Sequence, residues 1–297
     1  MRVVVAIGGN ALLERGDTPD AETQRKRLAA AAPALRALAA EHELVLVHGN
    51  GPQVGMLAVE SESDTSLTRP YPLSDLVAES QGLIGSWLQQ DLASAGHVVT
   101  VVTHVVVDES DPAFEAPSKF IGGTYDDDLG HRLASRHGWT MRRDGKAWRR
   151  VVASPRPVEV VELPVAATLL EAGATVVMAG GGGVPVTRGR DGLRTIDAVI
   201  DKDYAAGLVA DRLGADLLVV LTDVDGVMTD FGGPGETLLH DVSPDELDQI
   251  PLPAGSMGPK VTAATAFVRG GRGRRAAIGA LAHAERVVAA TAGTQIR

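Results

Sequence analysis

The sequence predicts an α/β protein built on an open, doubly wound and mainly parallel sheet, with helices packed on both faces in three layers. Two observations support this fold class. Short runs of β-branched and other apolar residues recur along the chain, and each ends in a turn rich in glycine or aspartate. Helical patterns separate these runs, and such alternation is typical of a parallel sheet that is covered on both faces.

Four segments carry the strand pattern. They cover residues 3–7, 44–47, 175–178 and 217–221. The turns that follow them read Gly8-Gly9-Asn10, His48-Gly49-Asn50-Gly51, Gly180-Gly181-Gly182-Gly183 and Thr222-Asp223-Val224-Asp225-Gly226. Because ligands of doubly wound sheets bind at the carboxyl ends of the strands, these turns are predicted to line one site.

The helical patterns cover residues 21–40, 80–95, 204–213 and 261–269. Two stretches break the alternation of strand and helix. Residues 108–157 hold two of the three tryptophans and the turn Asp144-Gly145, so we expect an inserted subdomain that bears a hairpin. Residues 231–259 are rich in glycine and proline and are predicted to be mostly loop.

Composition and charge exclude several classes of protein. The chain has 297 residues, no cysteine and a formal net charge of −10. The lack of cysteine excludes a disulfide scaffold, a cysteine nucleophile and an iron–sulfur cluster. The acidic balance argues against nucleic acid as a partner, so the arginine-rich segment 269–275 is interpreted as a solvated loop before the last strand. No apolar run reaches the ~18–20 residues of a membrane helix, and the apolar stretch after Met1 is too short for a secretion signal, so we expect a cytoplasmic protein.

Lysine is scarce, and its five positions are Lys26, Lys119, Lys146, Lys202 and Lys260. Lys202 stands between Asp201 and Asp203 just before a predicted helix, and Lys260 follows a glycine-rich loop and opens another. A lysine at a helix N-terminus opposes the helix dipole, but a bound anion would reverse that preference. The flanking aspartates could position Lys202 or a metal; alternatively, an aspartate could simply cap the helix beside a solvated lysine.

The glycine-rich turns each allow two interpretations. Gly8 and Gly9 would let the backbone approach an anion at the following helix N-terminus, although a plain strand–helix turn has the same pattern. The four glycines at 180–183 favour a backbone nest for phosphate or carboxylate, with a mobile loop as the alternative. His48 could be a general base, but a histidine that ends a buried strand more often makes a structural hydrogen bond. Walker A, protein kinase, GxSxG and HExxH motifs are absent from the sequence.

Eight segments, spread over nearly the whole chain, combine these features: VVVAIGGNALL, VHGNGPQVG, ESQGLIGSWLQQ, DPAFEAPSKFIG, AGGGGVPV, IDAVIDKD, LTDVDGV and AGSMGPKVTAA. In this order they resemble the carbamate kinases, within the amino acid kinase superfamily. The resemblance implies an enzyme that reversibly transfers a phosphoryl group from ATP to carbamate, giving ADP and carbamoyl phosphate. It also implies Mg²⁺ bound with ATP or ADP, a homodimer, and a role in making ATP during arginine or ureide breakdown.

The resemblance also implies a set of site residues. The catalytic residues would be Lys119, Lys202, Asp203 and Lys260. Lys202 would contact the transferring phosphate, with Asp203 orienting it. Lys260 would contact the nucleotide phosphates, and Lys119 the carbamoyl phosphate. The substrate side would be lined by Gly8, Gly9, Asn10, Gly49, Asn50, Gly51, Gly181 and Gly182. The nucleotide side would be lined by Lys202, Thr222, Asp223, Val224, Met257, Gly258 and Lys260. No metal ligand from the protein is implied, because the nucleotide phosphates would hold most of the Mg²⁺ coordination.

The family pattern further implies a single domain, 1–297, with two lobes. Residues 1–190 would bind the acyl phosphate and carry the protruding insert at about 108–157, and residues 191–297 would bind the nucleotide. Four places depart from the pattern: Phe120 beside Lys119, Gly123-Thr124, Tyr204 after Asp203, and Asp225-Gly226. Two alternatives stay open: a superfamily member that phosphorylates a different small carboxylate or a phosphonate, and a non-catalytic metabolite-binding relative.

Overall fold

Strands and helices alternate in the computed structural model, which describes residues 1–9, 12–13, 17–253 and 255–297. The helices are α1 (Ala21–Glu41), α2 (Gly51–Ser63), α3 (Leu73–Leu92), α4 (Asp127–His137), α5 (Leu163–Glu171), α6 (Lys202–Arg212), α7 (Pro244–Leu247), α8 (Met257–Arg269) and α9 (Ala284–Val288). The strands are β1 (Arg2–Ile7), β2 (Glu43–His48), β3 (Val98–Thr100), β4 (His104–Val107), β5 (Lys119–Tyr125), β6 (Met141–Asp144), β7 (Ala147–Val152), β8 (Pro157–Val160), β9 (Thr175–Val177), β10 (Val184–Gly189), β11 (Gly192–Thr195), β12 (Leu217–Thr222), β13 (Met228–Thr229), β14 (Thr237–Leu238), β15 (Asp241–Val242), β16 (Arg275–Ala280) and β17 (Thr294–Ile296).

The central sheet has the strand order β15-β17-β16-β12-β1-β2-β9-β3. Neighbouring strands are parallel except for the antiparallel pair β16 and β17. The four strands predicted from the sequence are the consecutive neighbours β12, β1, β2 and β9, which confirms the predicted fold class. Ile7 pairs with Leu221 on one side and with His48 on the other, so the turns that follow these strands emerge side by side.

Both sides of β1 are buried, which explains why this strand is apolar from Val3 to Ile7. In β1, Val4 and Ala6 pack into one core cluster, while Val3, Val5 and Ile7 pack into the other. Alternate side chains of a strand point to opposite faces of the sheet. A strand with helices on both sides therefore needs an unbroken apolar run, as the sequence has.

Three helices begin earlier than the sequence pattern predicts, whereas α1 matches its predicted start. The observed first residues are Leu73 for α3, Lys202 for α6 and Met257 for α8. In α3, the added first turns contribute the buried side chains of Leu73, Leu76 and Val77 to a core cluster beside the insert. This packing comes from residues that are distant in sequence, so periodicity within the helix does not reveal it.

A side-chain cap sets the start of α6, and a proline is accommodated at the start of α8. The Asp201 carboxylate accepts the N–H of Asp203 and caps α6, so that Lys202 becomes the first helical residue. In α8, Pro259 lies in the first turn, where its missing N–H removes no helical hydrogen bond. Lys202 and Lys260 therefore both lie inside the first turn of a helix.

The insert is larger than the predicted hairpin. An antiparallel sheet in the order β5-β7-β6 is joined by α4, where Trp148 Nε1 donates to Asp127 Oδ1 over 2.9 Å. The hairpin itself is confirmed between β6 and β7, and Gly145 in its turn has a φ of +63°. A second sheet, in the order β11-β10-β4-β8, has no counterpart in the sequence prediction. Its strands are short and come from segments on either side of the insert, so local patterns do not reveal their pairing.

The C-terminal part of the chain differs from the prediction in one respect. Segment 231–259 is mostly loop, as predicted, with the short elements β14, β15 and α7. Segment 269–275 joins α8 to β16, but α9 and β17 follow, so its predicted place before the last strand was wrong. The division into lobes at residue 190 stays a prediction. No helix in the described part of the chain is long and apolar enough to cross a membrane.

Candidate active site

Three lysines from separate elements converge on the start of α6. Lys202 opens that helix and forms an ion pair with the carboxylate of Asp203 next to it. Lys260 reaches the same carboxylate from α8, with 2.9 Å between its Nζ and Asp203 Oδ2. Lys119 arrives from the insert, where its Nζ lies 3.1 Å from Asp201 Oδ2. All three are the lysines that the sequence singled out, and the fold brings them together.

The electrostatics of this centre depend on Asp203, whose side chain is only 3% exposed. Burial alone would raise the pKa of its carboxyl, but the ammonium groups of Lys202 and Lys260 outweigh burial and hold that pKa below its usual value. Burial lowers the pKa of Lys202, and the Asp203 carboxylate offsets part of that effect. Among the described groups that meet here, three ammonium groups face two carboxylates, which leaves one net positive charge to attract an anion.

The glycine turns after β1 and β2 lie against each other, and the second of them lies against Lys202. Gly8 N donates to Leu221 O over 3.1 Å, and Gly49 N donates to Ile7 O over 2.9 Å. A Cβ at Gly49 would lie 2.8 Å from Gly9 N and 3.4 Å from Lys202 Cδ. The two turns and the lysine stem are therefore in contact, and a side chain at Gly49 would push them apart.

Two helix N-termini complete this side of the site. α2 begins at Gly51, with Pro52 at its first turn, and α6 begins at Lys202. The N–H groups of a first helical turn have no partner within the helix, and the positive end of the dipole lies there. α2 follows the carboxyl end of β2, and α6 brings Lys202 against the turn between β2 and α2, so the geometry suits an anionic ligand beside that lysine.

The four glycines at 180–183 form a tight, buried turn. Gly182 N donates to Ala179 O over 2.9 Å and Gly183 N donates to Gly180 O over 3.0 Å, so these two N–H groups are engaged within the turn. The interpretation as a mobile loop was wrong, and the nest interpretation does not apply to these two groups. The run serves close packing instead, since a Cβ at Gly181 would lie 2.1 Å from Asn50 Nδ2. The predicted substrate contacts of Gly181 and Gly182 stay a prediction.

Replacing Gly181 by alanine is expected to destabilise the protein by at least about 2 kcal/mol, because the methyl group would collide with Asn50 and because φ is positive there. The observed φ is +66°. Gly82→Ala is the matched control, since Gly82 lies in α3 and a Cβ there meets nothing within 4 Å. Urea unfolding of both variants checks this expectation, and equal unfolding free energies would contradict it.

Asn50 and Ser80 form a buried polar pair behind the turn after β2. Asn50 Nδ2 donates to Ser80 Oγ over 2.8 Å, and Ser80 Oγ donates to Val77 O. Both side chains are buried. Ser80 was missed by the sequence analysis, although it lies in the segment ESQGLIG, where a serine among the apolar positions of a helix was the available signal. Asn50 is thus held in place and packed against Gly181.

His48 is buried and neutral, as the structural interpretation expected. Burial is the main reason that its pKa falls from 6.5 to about 4. The nearby Lys202 ammonium lowers the pKa further, whereas the hydrogen bond with Gly49 O raises it. The ring Nδ1 lies 3.0 Å from that carbonyl, and a Cβ at Gly180 would lie 2.3 Å from Nε2. A ring packed in this way on both nitrogens acts as a structural group of the strand end.

Stability should depend on this histidine between pH 6.5 and about 4. In that window the unfolded chain binds a proton at His48 that the folded protein does not, so stability falls as the pH is lowered. The pKa difference corresponds to roughly 3 kcal/mol over the window. His48→Asn keeps a donor toward Gly49 O but does not titrate, so its unfolding free energy should fall less between pH 7 and pH 4.5. The same pH dependence in both proteins, measured by urea unfolding, would refute this role.

Apart from Lys202, the residues predicted to contact a nucleotide lie at two places. Thr222 ends β12 beside Gly8, Asp223 and Val224 follow it, and Thr222 Oγ1 donates to Asp223 Oδ1 over 3.0 Å. Met257 and Gly258 open α8, in the same first turn as Lys260. A cavity of about 520 Å³ lies beside Gly258, between α7 and α8. These positions are compatible with the prediction, whereas Asn10, which was predicted to line the substrate side, lies outside the described residues.

The carboxylates at this centre are already engaged, so they suit a metal ion that is coordinated mainly by a bound ligand. Within the described ranges, no three His, Asp or Glu side chains are grouped so as to hold a metal ion. The four carboxylate oxygens of Asp201 and Asp203 already bind lysines or a backbone N–H. A divalent ion at this centre would thus be coordinated mainly by the anionic ligand that accompanies it.

Known proteins resemble this chain along its whole length. Residues 1–279 match the amino acid kinase family. Carbamate kinase of Escherichia coli (strain K12) is 48% identical over 297 aligned residues, which cover 99% of this chain and 98% of that protein. Carbamate kinase of Rhizobium meliloti (strain 1021) is 46% identical, over 100% of this chain and 93% of that protein. The structure of carbamate kinase from Giardia lamblia bound to AMP-PNP superposes with a TM-score of 0.92 and 36% identity, covering 99% of this chain and 98% of that one. The chain therefore belongs to the amino acid kinase family and, within it, to the carbamate kinases.

Proposed function

We propose that this chain catalyses the reversible transfer of a phosphoryl group between ATP and carbamate, with ADP and carbamoyl phosphate on the other side of the reaction. The observation that carries the proposal is the meeting of Lys119, Lys202 and Lys260 at the start of α6, beside the glycine turns of β1 and β2. The chain's membership of the carbamate kinases supports the same activity.

Phosphoryl transfer needs alignment of the reactants and neutralisation of charge more than it needs covalent help from the protein. Carbamate already has an anionic oxygen as its nucleophile, so the reaction requires no general base. A neutral His48, packed on both of its ring nitrogens, agrees with this requirement. The remaining difficulty is that two anions must approach each other, which fixed positive groups in a buried site make easier.

Each lysine has a separate role in this proposal. Lys202 stabilises the transferring phosphoryl group, because its side chain is only 12% exposed and its stem packs against the turn at Gly49. Lys260 binds the nucleotide phosphates from α8, and Asp203 fixes both ammonium groups relative to each other. Lys119 approaches from the insert and contacts the carbamoyl phosphate.

Backbone groups complete the two sides of the reaction. The turns at Gly8, Gly9 and Gly49, with the α2 N-terminus at Gly51, border the acyl phosphate. The end of β12 and the start of α8 border the nucleotide. Mg²⁺ held by the nucleotide phosphates would supply further neutralisation of their charge, as it does in other phosphoryl transfer enzymes.

Several finer expectations are part of the proposal. The family resemblance suggests a homodimer in the cytoplasm that makes ATP from carbamoyl phosphate during arginine or ureide breakdown. It also suggests that residues 1–190, with the insert, bind the acyl phosphate and that residues 191–297 bind the nucleotide.

A panel of acceptors tests the choice of substrate. Purified protein is incubated with ATP, Mg²⁺ and one acceptor at a time, and ADP release is measured. The acceptors are carbamate, acetate, glutamate, a small phosphonate and a nucleoside monophosphate. Carbamate should be the preferred acceptor. A higher rate with any other acceptor would favour a different kinase of the same family, and nucleotide binding without ADP release would favour a non-catalytic relative.

A further inference from the structure

The Asp201 carboxylate joins the insert to the helix that carries Lys202. Its Oδ1 accepts the backbone N–H of Asp203 over 3.0 Å, which caps α6. Its Oδ2 accepts from Lys119 Nζ over 3.1 Å, although the two residues are 82 positions apart in the sequence. One side chain therefore fixes the start of the helix and, at the same time, one lysine of the neighbouring subdomain.

A second contact holds the base of the insert on the same helix. The Arg156 guanidinium carbon lies 3.4 Å from the centre of the Tyr204 ring, in the first turn of α6. The Arg156 N–H also donates to Asp111 Oδ2 over 2.9 Å, so the entry and exit of the insert are tied together. Because this stack is independent of Asp201, removing the charge of Asp201 should free Lys119 without releasing the insert.

The lysine keeps donors available while it is held. An ammonium group has three N–H donors, and Asp201 accepts from one of them. The Lys119 side chain remains 42% exposed, whereas that of Asp201 is 17% exposed. The Lys119 side chain is thus more exposed than the carboxylate that holds it, and Asp201 uses only one of its three donors.

We propose that Asp201 is a positioning residue for the reaction. It holds the Lys119 ammonium beside the start of α6, so that this ammonium is in position before the acyl phosphate binds. The inference rests on the proposed function, which assigns Lys119 to the carbamoyl phosphate. A long, flexible lysine that is held in advance loses less conformational entropy when the substrate binds. Asp201 therefore acts through Lys119, and its effect should appear in the KM for carbamoyl phosphate.

Asp201→Asn separates positioning from capping. Asparagine caps helices about as well as aspartate, so α6 should keep its start, while the charge that holds Lys119 is lost. The KM for carbamoyl phosphate should rise by about tenfold, as expected for the loss of one charge-assisted contact, with a smaller change in kcat. The thermal midpoint should stay close to that of the unaltered protein. Asp126→Asn is the matched control, because Asp126 caps α4 through the N–H of Leu129 and should leave KM unchanged.

A double-mutant cycle with Lys119→Ala distinguishes the positioning role from a structural one. If Asp201 acts through Lys119, Asp201→Asn should cause no further rise in KM once Lys119 is removed. Additive effects of the two substitutions would overturn the proposal, because they would mean that Asp201 acts through the helix or through Lys202 and not through Lys119. A fall in KM in Asp201→Asn would also overturn it, because Asp201 would then compete with the phosphate for Lys119.

A measurement on the ligand-free protein tests the contact independently of activity. The chain has only five lysines, so ¹³C labelling of the lysine ε-carbons should give few and assignable NMR signals. Asp201→Asn should move the Lys119 signal and leave those of Lys26 and Lys146 unchanged. An unmoved Lys119 signal would overturn the inference. If the unaltered protein made no ATP from carbamoyl phosphate, the proposed function would fail, and the NMR result would still decide whether Asp201 holds Lys119.

Discussion

Replacing Lys202 by alanine is expected to lower kcat by about 100-fold or more, because a preorganised charge at the transferring phosphoryl group would be lost. The Lys202 side chain is only 12% exposed, packs against Gly49 and is paired with Asp203. Solvent therefore cannot readily replace the electrostatic effect of its ammonium group. The KM values should change less than kcat, since the contact is strongest in the transition state. Steady-state rates of ATP formation from ADP and carbamoyl phosphate check this expectation.

Lys26→Ala and Lys146→Ala are the matched controls for Lys202→Ala. Both lysines are exposed and remain outside the proposed site, so both variants should retain their activity. Near-normal turnover in Lys202→Ala would contradict the role assigned to this residue. A circular dichroism melt of each variant distinguishes a loss of catalysis from a loss of folded protein.

Replacing Asp203 by asparagine is expected to reduce both stability and turnover. The carboxylate neutralises two ammonium groups, and its side chain is 3% exposed, so its removal leaves two like charges close together with little solvent to screen them. Breaking a buried ion pair in this way costs about 3–5 kcal/mol of folding free energy. The kcat should also fall, because Lys202 and Lys260 lose the group that fixes their relative position. Urea unfolding and steady-state kinetics check the two expectations.

Inorganic phosphate should partly restore the stability of the Asp203→Asn variant. An anion that binds between the two lysines stabilises the folded state by mass action, and the thermal midpoint should therefore rise more in the variant than in the unaltered protein. Asp245→Asn is the control, because Asp245 is 92% exposed in its ion pair with Arg269. Such a surface pair contributes about 0–1 kcal/mol. Equal stability of Asp203→Asn and Asp245→Asn would contradict the central place of Asp203.

The sequence predicted the part of the fold that depends on local patterns. Continuous apolar strands and their glycine turns identified β1, β2, β9 and β12, and parallel topology then required their carboxyl ends to meet. The context of Lys202 and Lys260 at predicted helix starts indicated that they would bind an anion, which stays a prediction. Asp203 is the common partner of both lysines, and its pairing with Lys202 could be predicted because the two residues are adjacent in the chain.

The remainder depends on contacts between distant segments. The ion pair of Lys119 with Asp201, the approach of Lys260 to Asp203, and the sheet β11-β10-β4-β8 all join residues that no local period connects. The glycines at 180–183 show the same limit. Four glycines in sequence suit a nest, a mobile loop or a packed turn, and only the presence of His48 and Asn50 against them decides for the packed turn.

One measurement tests most directly whether the three lysines form a phosphoryl transfer site. Purified protein is incubated with ADP, Mg²⁺ and carbamoyl phosphate, and ATP is measured beside a variant in which Lys119, Lys202 and Lys260 are all replaced by alanine. The unaltered protein should form ATP well above the uncatalysed background, and the triple variant should not. No ATP from the unaltered protein, or equal ATP from both, would contradict the account.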